Sequence, residues 1–165
     1  MIKTRGCVSA TMLALVATQF VLASGSAQAG DCPKDKELQT PRNIESKPSV
    51  GVTPKTLGLI HLKGWRGVGD LYLRTRLLTI APGGIVPTHN HDDRPAVVYV
   101  VKGEIIEHST FCAVPVVWKT GEVSREFGVG YGHWWENKSG ETVVLTSSDV
   151  VDKETIDLHP PNRDM

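Results

Sequence analysis

The chain has 165 residues, 40% hydrophobic and 22% charged, which excludes a disordered polymer and allows one domain with one core. Its 18 basic and 18 acidic residues balance, so composition gives no reason to expect nucleic acid or an anionic membrane as a partner. Sixteen Gly and ten Pro are many for this length and predict frequent turns between short strands.

Residues 1–29 read as a secretion signal. Lys3 and Arg5 form a positive start, an apolar stretch runs from Val8 to Leu22, and Ala27-Gln28-Ala29 supplies a small-x-small cleavage site. The competing reading is a membrane anchor. Ser9, Thr11, Thr18 and Gln19 interrupt the stretch, however, and it falls short of the ~20 residues a span needs. Cleavage after Ala29 predicts a periplasmic or secreted protein with no membrane attachment. It removes two basic residues and no acidic one, leaving 16 basic against 18 acidic residues and a formal net charge of −2. Cys7 departs with the signal. Cys32 and Cys112 remain in a compartment that permits disulfides. They form either a bridge that ties the N-terminal arm to the core, or two separate thiols with Cys112 buried beside Phe111.

Residues 30–55 are polar, contain Pro33, Pro41, Pro48 and Pro54, and read as an extended arm. Strands are predicted over 57–62 and 71–80, separated by a loop at 63–70, and Pro82-Gly83-Gly84 reads as a turn. Further strands fall at about 85–91, 96–102, 104–110, 114–119, 123–127, 131–136 and 142–150. Turns separate them at Lys102-Gly103, Thr120-Gly121 and Lys138-Ser139-Gly140. No window carries sustained helical periodicity, and the polar tail 152–165, with Pro160-Pro161, reads as a surface strap or frayed end. Eight or nine short strands argue for an all-β fold over 56–151, an antiparallel barrel or sandwich.

His89-Asn90-His91 is the most informative triplet. In a strand, residues i and i+2 face the same way, so both imidazoles reach one point. Neutral imidazole is the commonest metal ligand. Alone, the pair reads first as two exposed histidines on a strand edge.

Its surroundings resemble the cupin family over about residues 57–150. The first cupin motif is Gly, five residues, His-x-His, three or four residues, Glu, six residues, Gly. Gly83, His89, His91 and Gly103 fall at those spacings, and Tyr99-Val100-Val101-Lys102-Gly103-Glu104 is similar to the strand and turn that close the motif. Gly130, His133 and Asn137 match the second half of the second motif, whose Pro position is Gly128 and whose first Gly position is Glu122. The resemblance implies a double-stranded β-helix, or jelly-roll barrel, commonly paired as a homodimer. The arm 30–55 could then add a strand to a neighbouring barrel.

Ala96 stands at the Glu ligand position, and a methyl group cannot bind a metal. The resemblance therefore implies a three-histidine site, His89, His91 and His133, for a divalent ion such as Zn, Fe, Ni, Cu or Mn. Asp92, Asp93 and Glu107 are the carboxylates considered as replacements, but nothing in the sequence aims them inward. The competing reading is a barrel that has lost its metal and keeps the histidines as polar lining.

Around these ligands, Trp135 and Tyr131 share the parity of His133 and are candidates to line a substrate site, with Trp134 facing away. Asn137 and Arg94 are further candidates, Arg94 as a bidentate partner for a carboxylate. Arg74 and Arg76 share a strand face that either lines an anion site or meets water. His61, His108 and His159 lack motif context. Three functions remain open. One is a metal-dependent enzyme acting on a small molecule, a dioxygenase or isomerase. The second is a non-catalytic small-molecule or metal binder, and the third a structural cupin with a vestigial site. No catalytic base or nucleophile can be named.

Overall fold

The inward faces of the strands change from apolar to polar along their length, and this gradient sets where the site lies. The structure, a computed structural model, describes residues 31–158. The signal expected at 1–29, His159 and the end of the tail lie outside the described residues.

Eight strands form the body: β1 (Val50–His61), β2 (Tyr72–Asn90), β3 (Ala96–Lys102), β4 (Glu104–Ser109), β5 (Val116–Lys119), β6 (Val123–Glu126), β7 (Gly132–Glu136) and β8 (Val143–Val151). Every pairing is antiparallel. The strands run in the order β5-β4-β7-β2-β8-β3-β6, with β1 beside β2. β2 joins the two faces of the resulting barrel. Its first half pairs with β1 and β8, and its second half pairs with β7. The all-β antiparallel barrel expected from the strand pattern is therefore present.

Two boundaries differ from the sequence reading. Pro82-Gly83-Gly84 does not end a strand, because β2 runs through it with a bend. Gly83 takes φ +73°, and a Cβ on Gly84 would stand 2.6 Å from Ile80 Cγ2 and 2.8 Å from Ala81 O, so only glycine fits there. The bend is closed by two backbone bonds with Asn137, from Gly83 N to Asn137 O and from Asn137 N to Gly84 O, both 2.9 Å. The second difference is at the arm, whose last residues, Val50–Lys55, are already part of β1. The polar composition hid this strand because β1 is an edge strand with one exposed face. The tail also begins with a short helix, α1 (Lys153–Leu158), where no helix was expected. Among the described residues no helix is long and apolar enough to cross a membrane.

The rest of the arm lies against its own barrel. Leu38 N donates to Phe111 O and Arg42 N to Thr110 O, both at 2.9 Å. A disulfide joins Cys32 to Cys112, with Cα atoms 5.7 Å apart.

Along β8, alternate residues Val143, Leu145, Ser147, Asp149 and Val151 are buried. The inward series on β2 runs from Ile80 and Leu78 to Arg76 and Arg74, and on β4 from Ile105 to Glu107 and Ser109. One end of the barrel is thus an apolar core around Ile80, Val100, Ile105 and Val143. The other end is buried but polar, a costly arrangement unless each group has a partner.

Candidate metal centre

At the polar end, β2 delivers His89, the residues just after it deliver His91, and β7 delivers His133. His89 and His133 sit directly opposite in the β2–β7 register. A register shift between Val86 and His89 marks a bulge that turns His89 inward. His91 is fixed by its backbone, with His91 N donating to Tyr131 O at 2.8 Å. The sequence-predicted trio is therefore brought together: His91 Nε2 and His89 Nε2 each lie 3.1 Å from His133 Nε2.

Each imidazole is anchored by its other nitrogen. His89 Nδ1 donates to Pro87 O at 2.8 Å, His91 Nδ1 to Arg94 O at 2.7 Å, and His133 Nδ1 to Glu107 Oε1 at 2.6 Å. Trp135 Nε1–H also points at His133 Nδ1, 2.9 Å away, but the shorter bond to the Glu107 carboxylate holds that nitrogen's proton. With all three protons at Nδ1, the three Nε2 lone pairs face one another. Such a clash of acceptors is relieved by a shared cation. A spacing near 3.1 Å suits neighbouring ligands about 2.1 Å from one ion.

A fourth donor comes from a residue the sequence reading did not consider. Glu126, the last residue of β6, places Oε2 at 3.2 Å from His91 Nε2 and 3.8 Å from His133 Nε2. The ligand atoms of His89, His91, Glu126 and His133 all lie within 4.8 Å of one another. Glu126 Oε1 is buried with no hydrogen-bond partner among the described residues, an orphan that an ion would satisfy. The donor set therefore fits a divalent metal.

The register explains the missing motif carboxylate. Ala96 pairs directly with Glu126 across β3 and β6. Opposed residues on neighbouring strands project from the same face with Cβ atoms about 5 Å apart. Glu126 therefore reaches, from the neighbouring strand, the interior point that Ala96 faces. Asp92 instead accepts from Gly130 N at 2.6 Å, Asp93 is exposed, and Glu107 supports His133 from behind.

Charge is tuned by burial and by neighbours. Desolvation holds His89 down to about 2 and His91 to about 4, each reinforced by the nearby His133. Burial pushes Glu126 up to about 7. For Glu107 burial also acts upward, but the hydrogen bond and charge of His133 outweigh it and leave its carboxyl below the ordinary value. His133 is disfavoured as a cation by burial, yet Glu126 and Glu107 hold its pKa above the usual imidazole value. A proton and a metal ion therefore compete for the same position.

The ligands open onto a cavity of about 480 Å³, the size of a small-molecule site. Trp135 and Arg94 line it. Tyr131 does not. It precedes β7 rather than continuing its alternation, and its hydroxyl donates to Glu107 Oε1 at 2.8 Å. Asn137 is also absent from the cavity wall. Fully buried, it donates through Nδ2 to the carbonyls of Ile80, Ala81 and Glu141, securing the β2 bend. Trp134 faces the other way, stacked on His108 with ring centroids 3.8 Å apart. Arg74 does not face water. It is 1% exposed and paired with Asp149 through Nε at 3.0 Å and Nη2 at 2.7 Å. Arg76 reaches Asp149 Oδ2 at 3.3 Å and lines the cavity; burial lowers its pKa to about 10, still cationic at neutral pH.

No family model matches the chain, and no curated protein matches its sequence. Solved structures do match. A double-stranded β-helix protein from Klebsiella pneumoniae shares 17% identity, with 66% of this chain and 84% of that chain covered and a TM-score of 0.50. The fold is a cupin-type double-stranded β-helix. The cupin domain of a Schizosaccharomyces pombe protein matches at 12% identity over 73% of this chain and 78% of its own, TM-score 0.48. A protein described as a predicted oxalate decarboxylase from Thermotoga maritima matches at 18% identity over 64% of this chain and 99% of its own, TM-score 0.43. At these identities the likeness concerns the cupin fold alone.

Proposed function

We propose that this chain is an exported cupin metalloprotein that holds one divalent ion through His89, His91, His133 and Glu126 and presents it to a small molecule in the barrel cavity. The observation that carries this reading is the convergence of four donor atoms, three of them on imidazoles whose supporting bonds turn them inward. A bound divalent ion would supply Lewis acidity and open coordination positions for a ligand. The protein would orient that ligand along the apolar wall containing Trp135, Val86 and Leu145. Export rests on the signal-like residues 1–29 and accords with the Cys32–Cys112 disulfide, since such bonds persist in oxidising compartments. Pairing as a homodimer belongs to the same reading. The long edge strand β1 supports it, because its outer side has no partner strand among the described residues.

The test is metal analysis of the mature chain purified without a histidine tag. About one divalent ion per chain is expected, and His89→Ala and His133→Ala should each abolish it. Unchanged metal content in both variants would show the site to be misassigned. A second reading, a metal-dependent binder without catalysis, is favoured by one observation. The acidic and imidazole groups lining the cavity are the four ligands and the Arg74-paired Asp149, which leaves no free base at the wall among the described residues. Turnover of candidate substrates, followed as oxygen uptake for a dioxygenase and as product formation for an isomerase, separates the two, a binder giving neither.

A further inference from the structure

Cationic groups outnumber their partners at the wall of this cavity. Asp149 is already engaged at both oxygens by the buried Arg74. Arg76 shares only a corner of that carboxylate, one bond of 3.3 Å, and its Nε is buried with no hydrogen-bond partner. Arg94 makes no ion pair among the described residues, and its Nε is likewise buried and unpartnered. Among the described residues, the acidic side chains on the wall are Asp149 and Glu126, and Glu126 is directed at the imidazoles. A divalent ion at the histidines would make the wall net positive, since its two carboxylates only balance Arg76 and Arg94. Buried donors without acceptors are uncommon in folded proteins, and a guanidinium fork is shaped for a planar oxyanion.

The rest of the wall is mostly hydrocarbon, with Val52, Leu78, Val86, Val98, Leu145 and Trp135 beside the hydroxyls of Ser49, Thr56 and Ser147. A ligand that satisfies this wall has an apolar body and one anionic end. We infer that the cavity binds a small organic carboxylic acid, its carboxylate held between Arg94 and Arg76 and its body packed against the apolar wall. The inference deepens the proposed function, on which it rests for the ligand's neighbouring ion, but the arginine contacts do not require that ion.

The experiment uses two matched pairs, salicylate with salicylamide and 3-phenylpropanoate with 3-phenylpropanamide. Each amide keeps the shape of its acid and removes the charge. Binding is measured by calorimetry on the mature protein, both stripped with a chelator and loaded with zinc, alongside its metal content. At least one acid should bind tenfold or more tightly than its amide. Arg94→Met should reduce that preference below threefold, and Arg76→Met should weaken it too. Arg94→Met breaks no ion pair, so it keeps the test valid should Arg76→Met fold poorly. Equal binding of acid and amide, binding of neither acid, an undiminished preference in Arg94→Met, or tighter binding of inorganic phosphate than of either acid would each overturn the inference. Loss of zinc binding with the carboxylate preference intact would instead count only against the metal centre.

Discussion

Glu107 provides the most quantitative test of the site. It lies behind His133, is 2% exposed, and accepts three hydrogen bonds: from His133 Nδ1 at 2.6 Å, Tyr131 OH at 2.8 Å and Trp118 Nε1 at 2.7 Å. Glu107→Gln keeps the shape but replaces one acceptor oxygen with an NH2. If the amide oxygen stays with His133, the NH2 faces the Trp118 N–H, leaving a buried donor unpartnered at a cost of about 1–3 kcal/mol. The neutral amide also makes the His133 imidazole less basic. Loss of such a supporting carboxylate lowers metal affinity about 10–100-fold, or roughly 1.4–2.8 kcal/mol. Competition for zinc against a chromophoric chelator measures the affinity, and thermal melting in excess chelator measures the fold separately. A variant with a lowered Tm but zinc affinity within twofold of the parent would refute the reasoning, since Glu107 would then be a packing residue and His133 no ligand.

Three other outcomes follow from the same geometry. Glu126→Ala should weaken zinc binding at least about tenfold, and adding Ala96→Glu to it should recover part of that loss; a double variant no better than the single one would mean that the two positions do not aim at one point. Removing the disulfide by Cys32→Ala with Cys112→Ala should destabilise the fold by about 4.5 kcal/mol on the chain-entropy account, given a sequence separation of 80. A Tm within about 2 °C of the parent would count against it. Asp149→Ala strands Arg74 without a counter-ion and should cost about 3–5 kcal/mol in denaturant unfolding, whereas a cost under about 1 kcal/mol would mean that water reaches Arg74.

The sequence made the barrel and the three histidines legible for local reasons. Strand alternation puts His89 and His91 on one face, and turn residues mark where the strands end. What it concealed depends on which strands become neighbours. Glu126 carries no local signal, since a carboxylate on a short polar strand looks solvated until β6 is seen to pair with β3 opposite Ala96. Arg74 misleads in the same way, because its partner Asp149 is 75 residues distant and meets it only through the β2–β8 register. Asn137 and Tyr131 show the limit of parity itself. Asn137 lies just beyond β7, where backbone carbonyls of the β2 bend engage its side chain, and Tyr131 lies just before β7, outside its alternation.

The bond from His91 Nδ1 to Arg94 O gives one residue two separable duties. Its carbonyl sets the angle of the His91 imidazole, while its side chain lines the cavity. Side-chain substitution at position 94 leaves the carbonyl in place, so under the proposed function ligand preference would drift while the donor geometry of His91 is held constant. Insertion or deletion between His91 and Arg94 alters both at once. The loop therefore offers natural variation, or an engineer, a way to change what the barrel accepts by point substitution, provided that its length is kept.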